Sequence, residues 1–466
     1  MPAGPTYRPD PRFAALGDDF SDAVEPAVFP QHTVRWRDQR AAAQVGLDGL
    51  TEAEWVDHFG RFEPLSGQPG PRAMRYHGHQ FRHYNPELGD GRGFLAAQLR
   101  DHRDRLLDLG TKGSGRTPWS RDADGRLTLK GGVREVLAAE MLQAQGVPTC
   151  RILSLVETGE QLARSDEPSP TRSSVMVRLS HSHVRFGTFQ RAAFFDRTDL
   201  IQRLVDHVIE VYHPDAQGAA GMLEAVVRAQ ARLVARWTAA GFVHGVLNTD
   251  NLNVTGESFD YGPWRFLPWL DPGFTAAYFD TTGLYSFGRQ ADAVFWALRQ
   301  LAATLRPLAE EAALVEALNA FGPAWASESR AAIRQRLGVA DVGEAAGQAL
   351  VDSTLALLSQ GGEALGFEGL FFDWFGGEAS EARARTSPRA GVYAGDAFDA
   401  FRAALLAHAP DRPERLDHPA FAAGQPQTML IDEVEAIWSR IAEDDDWSAL
   451  EAKVAAVRAL GEARAG

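Results

Sequence analysis

The sequence predicts an α+β protein in two lobes, a small strand-rich lobe followed by a larger helical one. Three observations carry this expectation. Between residues 76 and 185 short β-prone runs punctuated by Gly and Pro dominate. A single helical pattern interrupts them, and from about residue 186 long amphipathic patterns take over.

Taken in order, residues 1–75 are rich in Pro, Gly and charge and read as an N-terminal extension laid over the first lobe, with one helix at TEAEWVDHFGRF. Residues 76–185 offer strands at GFLAAQL, LLDLGTK, RLTLK, ILSLVE and SVMVRL. The interrupting helix is GVREVLAAEMLQAQG, with Val133, Val136, Leu137 and Met141 at helical spacing and Gly146 and Pro148 as the stop. SDEPSPTRS, at 165–173, is composed of turn formers and predicts a surface hairpin loop. Residues 186–440 form the helical lobe. DLIQRLVDHVIEVYH opens with Asp199 and Gln202 at capping-box spacing, MLEAVVRAQARLVARWTAAG follows, and RQADAVFWALRQLAATL comes later. FFDWFGG near 371 is expected in the core. Residues 441–466 are a C-terminal helical tail, with EDDDW as a solvated helix start.

Composition limits the function. A chain of 466 residues with 45% hydrophobic content can bury substantial cores. The net charge of −15 argues against a nucleic-acid partner, although a local basic cleft can still hold one nucleotide. Cys150 is the single cysteine, which excludes an intrachain disulfide or a thiolate zinc cluster and is expected as a small buried residue. MPAGPTYRPDPRF lacks the basic and apolar blocks of a secretory signal, and no apolar run is long enough to span a bilayer. The expectation is a soluble cytoplasmic protein without a membrane partner.

The chemistry centres on GFVHGVLNTDN, residues 241–251. Kinase catalytic loops follow H-R-D-x-x-x-x-N, in which the Asp receives the hydroxyl proton and the Asn binds metal. His244 and Asn251 keep that spacing, but Val246 stands where the Asp would be and can neither accept a proton nor orient an alcohol. Asp250 supplies a carboxylate from a different direction. FDYGPW places Asp260 where kinases carry the D-F-G carboxylate, so Asn251 and Asp260 make an oxygen pair suited to magnesium shared with phosphates. Lys112 ends a predicted strand, where it is either a surface lysine or a phosphate ligand, and Glu135 on the interrupting helix is its natural partner. LGDGRG, with Gly89, Gly91 and Arg92, is either a plain turn or a phosphate-approaching one. Arg178 and Arg185 are either phosphate clamps or salt-bridge partners, with His181 and His183 as hydrogen-bonding supports. His77, His79 and His83 crowd together without the helical spacing of a zinc site. Strands with one helix, then helices, is the order of parts in a protein-kinase-like bilobal fold.

Together these motifs resemble the selenoprotein O family, also called the YdiU family, of kinase-like protein adenylyltransferases. The resemblance runs from YHGHQF through LGDGRG, DLGTKGSGRTPWSR, GGVREVLAAEML and GVPTCRILSLVETGE to GFVHGVLNTDNLNVTGESFDYGP. It implies that ATP lies inverted in the cleft and that AMP passes to Ser, Thr or Tyr hydroxyls of proteins while pyrophosphate leaves. Carried over by position, it implies Asp250 as proton acceptor and Asn251 and Asp260 as ligands of magnesium, with manganese as the alternative ion. Lys112, held by Glu135, would bind phosphate, and Arg178 and Arg185 would hold the terminal phosphates. Gly89, Gly91, Arg92, Asp124 and Gly125 would be nucleotide contacts. The chain departs from the family pattern beside the glycine turn, where YHGHQFRHYNPELGDGR replaces the common YGGHQFGNWAGQLGDGR. The alternatives are an atypical kinase that transfers the terminal phosphoryl group and a catalytically inactive ATP-binding scaffold.

Overall fold

The computed structural model describes residues 6–165, 167–422 and 424–464; the MPAGP start, Asp166 of the SDEPSPTRS segment, Ala423 and the last two residues of the EARAG end lie outside the described residues. The architecture is mixed α and β, with nearly all strands before residue 181 and helices dominating after it. The strands are β1 (Ser21–Ala23), β2 (Thr33–Arg37), β3 (Arg72–Met74), β4 (Gly78–Gln80), β5 (His83–Asn85), β6 (Leu95–Arg100), β7 (Leu106–Lys112), β8 (Leu127–Thr128), β9 (Arg151–Leu162) and β10 (Thr171–Ser180). Helices α1 (Gln39–Gln44), α2 (Glu52–Phe59) and α3 (Leu129–Ala144) are interleaved with them. Then come α4 (Phe186–Phe194), α5 (Thr198–Tyr212) and α6 (Gly218–Ala239), the short β11 (Phe242–Val243) and β12 (Arg265–Phe266), and α7 (Gln290–Thr304). The remaining helices are α8 (Glu311–Asn319), α9 (Phe321–Leu337), α10 (Glu344–Leu365), α11 (Phe367–Asp373), α12 (Glu381–Thr386), α13 (Asp396–Leu406), α14 (Ile431–Asp444) and α15 (Ser448–Arg464). Among the described residues, no helix is long and apolar enough to cross a membrane.

One antiparallel sheet runs in the order β1-β3-β6-β7-β10-β9-β2, with β8 paired to β10 off this path. Its two faces have different tasks. On β7 and β10 the residues Leu107, Leu109, Val175, Val177 and Leu179 point to one side and pack with Trp55, Phe59 and Phe62. Because side chains alternate along a strand, Asp108, Gly110, Lys112, Met176 and Arg178 face the other side. The register pairs Lys112 with Met176 and Gly110 with Arg178, so the two cations emerge beside each other. Against this face lies α3, whose Val133, Val136, Leu137 and Met141 join Leu155 and Met176 in a second core. Residues 1–75, expected as an extension, contribute β1, β2 and β3 to the sheet and the buried Trp55 and Phe59 of α2. Their helix forms with a capping box between Thr51 and Glu54.

Local expectations were met unevenly. RLTLK gives only a two-residue strand, because α3 begins at Leu129 with the Thr128 hydroxyl accepting from Gly131 N at 3.1 Å. The Asp199/Gln202 capping box does not form. Asp199 is taken by the Arg197 guanidinium at 2.7 Å and Gln202 donates to Asp206 at 2.7 Å. EDDDW spans the turn between α14 and α15, and Asp446 accepts from Ser448 N at 2.9 Å to open the second helix. Phe371, Phe372, Trp374 and Phe375 are core residues, and Cys150 is buried, which pushes its thiol upward. The C-terminal α15 is pinned to α3 by Arg458 on Glu140 and by Arg464 Nη1 on Gln145 at 2.9 Å.

Gly187, near the start of α4, accepts from His77 N through its carbonyl at 3.0 Å, and a Cβ there would run into the His77 carbonyl. This close approach seats the chain leading into β4. Gly187→Ala is expected to cost about 1–3 kcal/mol by forcing backbone apart, read as a lower melting temperature in thermal unfolding. An unchanged melting temperature would contradict the close approach.

Candidate active site

The face carrying Lys112 and Arg178 meets α3 and the chain after α6 at one cluster of charges. Lys112 is buried at the end of β7, and its ammonium bonds Glu135 of α3 and Asp260 Oδ1, the latter at 2.7 Å. Arg178 Nη1 lies 3.3 Å from Asp260 Oδ1 and 3.9 Å from Glu135 Oε2. The two cations thus share two carboxylates, an arrangement that holds charge in the interior only because each group is paired. Burial works to raise the Asp260 pKa, but Lys112, Arg178, Arg185 and Arg92 outweigh it and hold the carboxyl well below the usual range. Asp260 also has a left-handed backbone, φ 63°, a conformation that costs a non-glycine residue of the order of 1 kcal/mol and persists where its surroundings fix it.

The catalytic-loop segment is fixed by side chains from several elements. α6 ends at the left-handed Gly241, the chain forms β11, and His244 Nε2 donates to the Phe259 carbonyl at 3.0 Å. Asn248 Oδ1 accepts from Phe81 N at 3.0 Å and from the Tyr285 hydroxyl at 2.9 Å. The Thr249 hydroxyl accepts from His79 N at 2.7 Å and donates to Gln190 at 2.7 Å. Asn253 closes the loop by donating to the Ser182 carbonyl at 3.0 Å. Residues Thr249–Asn251 form a single 3-10 turn within this frame.

Asp250 and Asn251 leave that turn in different directions. Asn251 Nδ2 lies 3.0 Å from Asp260 Oδ2. Asp250 is buried, its backbone carbonyl accepts from Arg185 Nη1 at 2.7 Å, and its Oδ1 has no hydrogen-bond partner among the described residues. Burial raises its pKa to about 6, with Arg185 opposing. A buried carboxyl with an unpartnered oxygen and a pKa near neutrality suits proton acceptance.

These residues lie in a chain that matches, over residues 6–458, the family described as protein adenylyltransferase SelO. The chain belongs to the SelO family. It is 44% identical over 463 residues to the protein nucleotidyltransferase YdiU of Synechococcus elongatus, covering 95% of this chain and 93% of that one. It is 46% identical over 455 residues to the protein of the same name from Gloeobacter violaceus, covering 94% and 92%. The more distant Pseudomonas putida protein of that name is 36% identical over 409 residues, covering 87% and 82%. SelO membership makes this a nucleotidyltransferase, which implies a nucleoside triphosphate substrate and a divalent metal.

Whether the SelO residues present fit such an ion can be tested on the Asn251–Asp260 pair. Amide oxygen and nitrogen exchange by a half-turn of the carboxamide, after which two oxygens would stand at the observed 3.0 Å. Adjacent ligands of an octahedral ion with bonds of 2.0–2.1 Å stand about 2.9 Å apart. The pair fits, with phosphate and water oxygens completing the set. By contrast, His77 Nδ1 is engaged with the Tyr84 hydroxyl at 2.8 Å and His79 Nδ1 with Gln190 at 2.8 Å, so these imidazoles serve the hairpin β4–β5 and its neighbours.

The other sequence-derived residues are distributed around this SelO cluster. Arg185 Nη2 lies 3.4 Å from Asp90, and its guanidinium stacks over Tyr76 and Phe259 at 4.6 and 4.9 Å. Arg92 lines, with Lys112 and Glu135, a cleft of about 540 Å³. Gly89 and Gly91 have no left-handed backbone; a Cβ at either would strike Trp119, so packing requires these glycines. Asp124 is exposed and accepts from Arg164 Nη1 at 2.8 Å, and Gly125 is left-handed against Gly115. Asp124 is thereby tied to Arg164, which lines the cleft, while neither Asp124 nor Gly125 is among the lining residues. His183 supports the site through Asp108 Oδ2, bonded to its backbone N at 2.7 Å, whereas His181 N is bonded to Glu257 at 2.7 Å.

Sequence reasoning missed Asp90, Tyr76, Phe259 and Gly78. Asp90 stands between the two glycines already singled out, and its carboxylate accepts from Met74 N at 3.0 Å as well as facing Arg185. Gly78 leaves room for Asp250, since a Cβ there would lie 3.1 Å from Asp250 Oδ1. Glu135→Gln is expected to weaken nucleotide affinity less than Lys112→Ala, because Asp260 still holds the ammonium at 2.7 Å. Calorimetric titration with ATP measures both; equal losses would give Glu135 a direct role.

Proposed function

We propose that this chain is a protein adenylyltransferase with a kinase-like bilobal arrangement, which moves AMP from ATP to Ser, Thr or Tyr hydroxyls of proteins. The observation that carries this reading is Asp250: buried, unpartnered at Oδ1 and adjacent to Asn251, while Val246 fills the position of the kinase acid. A base displaced from the kinase position suits an acceptor approaching a different phosphorus. In an inverted ATP, Arg178 and Arg185 hold the terminal phosphates deep in the site, Lys112 bonds the phosphate chain, and Glu135 keeps Lys112 in place. Gly89, Gly91, Arg92, Asp124 and Gly125 border the nucleoside end.

The acceptor oxygen attacks the α-phosphorus and its proton passes to Asp250. The bond from the α-phosphorus to the bridging oxygen breaks, and pyrophosphate leaves with the electron pair. The cations at the terminal phosphates stabilise that leaving group, because they are buried and already oriented by their ion pairs. Asn251 and Asp260 would hold magnesium, or manganese in its place, which when bound supplies charge neutralisation at the phosphate oxygens. Since a base must be ionised to work, transfer is expected to fall as pH drops through about 6, the value to which burial raises Asp250. A rate flat between pH 5 and 8 would remove Asp250 as the base.

The direct test is peptide mass spectrometry after incubation with ATP, magnesium and a protein mixture. Adenylyl adducts on hydroxyl side chains, absent with Asp250→Ala, support the reading. Phosphoryl adducts would replace it with an atypical kinase, and ATP binding without any adduct would point to a nucleotide-binding scaffold. A cytoplasmic setting, where ATP and magnesium meet protein acceptors, accords with this function.

A further inference from the structure

The cleft beside Lys112 and Glu135 continues outward to a group of cations that the transfer chemistry does not use. Arg134, on α3, and Arg265, on β12, converge on the same backbone carbonyl: Nη2 of Arg134 lies 3.4 Å and Nη1 of Arg265 2.8 Å from Trp264 O. Arg134 also reaches Gly262 O at 3.3 Å, and Arg265 reaches Pro263 O at 2.9 Å. Carbonyls orient guanidiniums but do not neutralise them. The facing acid is Glu435, which is 2.7 Å from Lys130 and 3.9 Å from Arg134, and Glu135 is committed to Lys112. Among the described residues, Lys130, Arg134 and Arg265 share this part of the cleft with the half-exposed Glu435, and Glu167 lines it as well, in a chain whose net charge is −15. Burial and, after it, the neighbouring Arg265 lower the Arg134 pKa to about 10, with Glu435 and Glu135 opposing.

Two aromatic side chains complete this end of the cleft. Tyr278 is 84% and Phe279 47% exposed, and both line it. Phe279 packs on Phe81 at 5.9 Å, Phe81 on Tyr285 at 4.9 Å, and Tyr285 bonds Asn248, two residues before Asp250. A row of packed aromatic rings thus links Phe279 at the exposed mouth to Asn248, two residues before Asp250 in the same loop. Phe81 and its neighbour Arg82 both have left-handed backbones, a strained pair of the kind found at ligand-contacting segments.

We propose that this mouth is the docking surface for the acceptor protein and selects a hydroxyl-bearing segment with an acidic residue beside apolar ones. The acidic side chain sits between Arg134 and Arg265, and the apolar side chains lie on Tyr278 and Phe279, which holds the hydroxyl-bearing segment at the mouth of the cleft that Lys112 and Glu135 also line. Paired guanidiniums suit a carboxylate because each can offer two parallel N–H donors, and the aromatics supply the apolar contact area that charge alone lacks. The inference rests on the adenylyltransferase reading for its choice of acceptor, yet it can be tested without transfer.

The experiment uses a fluorescent peptide carrying one Tyr flanked by Glu and Leu, and a twin with Gln in place of Glu. Fluorescence anisotropy with the full chain is expected to show the Glu peptide bound at least about fivefold more tightly at low salt, the advantage shrinking as salt rises. Arg265→Gln should bring the two peptides to equal affinity, and Tyr278→Ala should weaken both alike. ATP affinity, measured by calorimetry, should stay unchanged in each variant. Equal binding of the two peptides to the unaltered chain overturns the proposal. So does a loss of ATP affinity in Arg265→Gln as large as the loss of peptide affinity, which would assign the arginine pair to the nucleotide. If the Glu peptide is preferred but never acquires AMP, docking stands and the transfer reading falls.

Discussion

Asp250→Asn is expected to lower AMP transfer by about two to four orders of magnitude, the usual contribution of a positioned general base, while the folded chain becomes more stable. The stability follows from the sign of the pKa shift. Asp250 is raised from 3.8 to about 6 by burial, so between those values the folded chain binds more protons than the unfolded one and stability falls as pH rises. At neutral pH the ionised, unpartnered carboxylate costs on the order of 2–3 kcal/mol. The neutral amide removes that cost, which corresponds to a rise of roughly 2–3 °C in melting temperature for a chain of this length. Single-turnover transfer with calorimetric unfolding at pH 7.5 measures both. A variant that loses activity together with stability would mean Asp250 is structural, and one that retains transfer would move the base elsewhere.

Asp260→Ala is expected to eliminate metal-dependent turnover and also to destabilise the fold. Its carboxylate is shared by Lys112 at 2.7 Å, Arg178 at 3.3 Å and Asn251 at 3.0 Å. Removing it leaves two buried cations with Glu135 as their remaining shared acid, a loss of about 3–5 kcal/mol for a broken buried pair. It also removes one of the two oxygen ligands proposed for the metal. Asp260→Asn separates the effects, because the amide retains the shape and one acceptor oxygen but lacks the charge. Both variants should lose magnesium-dependent ATP turnover, followed by pyrophosphate release. Calorimetric unfolding should show a smaller stability loss for Asn than for Ala. Full turnover in either variant would contradict the metal assignment.

The candidate site was legible where chemistry follows local spacing. Asn251 and Asp260 are separated by a short loop, and Lys112 ends a strand whose alternation fixes its face, so their meeting could be anticipated from the sequence. For Arg178 the sequence left phosphate clamp and salt bridge open, and the structure shows its ion pairs to be with the site carboxylates themselves. Arg185 stands apart, bonded to the Asp250 carbonyl and to Asp90. Asp199 and Gln202 had the spacing of a capping box, but an adjacent arginine offered the Asp a full charge instead of a backbone N–H. For Gly89 and Gly91 the sequence leaves a plain turn and a phosphate-approaching one open, and it does not reveal that Trp119, about thirty residues away in sequence, packs where a side chain there would stand.

The sequence by itself determined the mixed α and β content, a strand-rich part before a helical one, the family, and the set of candidate groups for phosphate and metal, but not the strands that residues 1–75 add to the sheet. Periodicity, charge and short motifs are local properties, and they persist whatever the rest of the chain does. The tertiary structure alone decided which of those groups share a partner, that Asp250 is buried with one oxygen unpartnered, and that Arg134 and Arg265 converge on one carbonyl. These are matters of desolvation and of distances between residues far apart in the chain, and both arise only when the sheet, α3 and the loop after α6 close on one another.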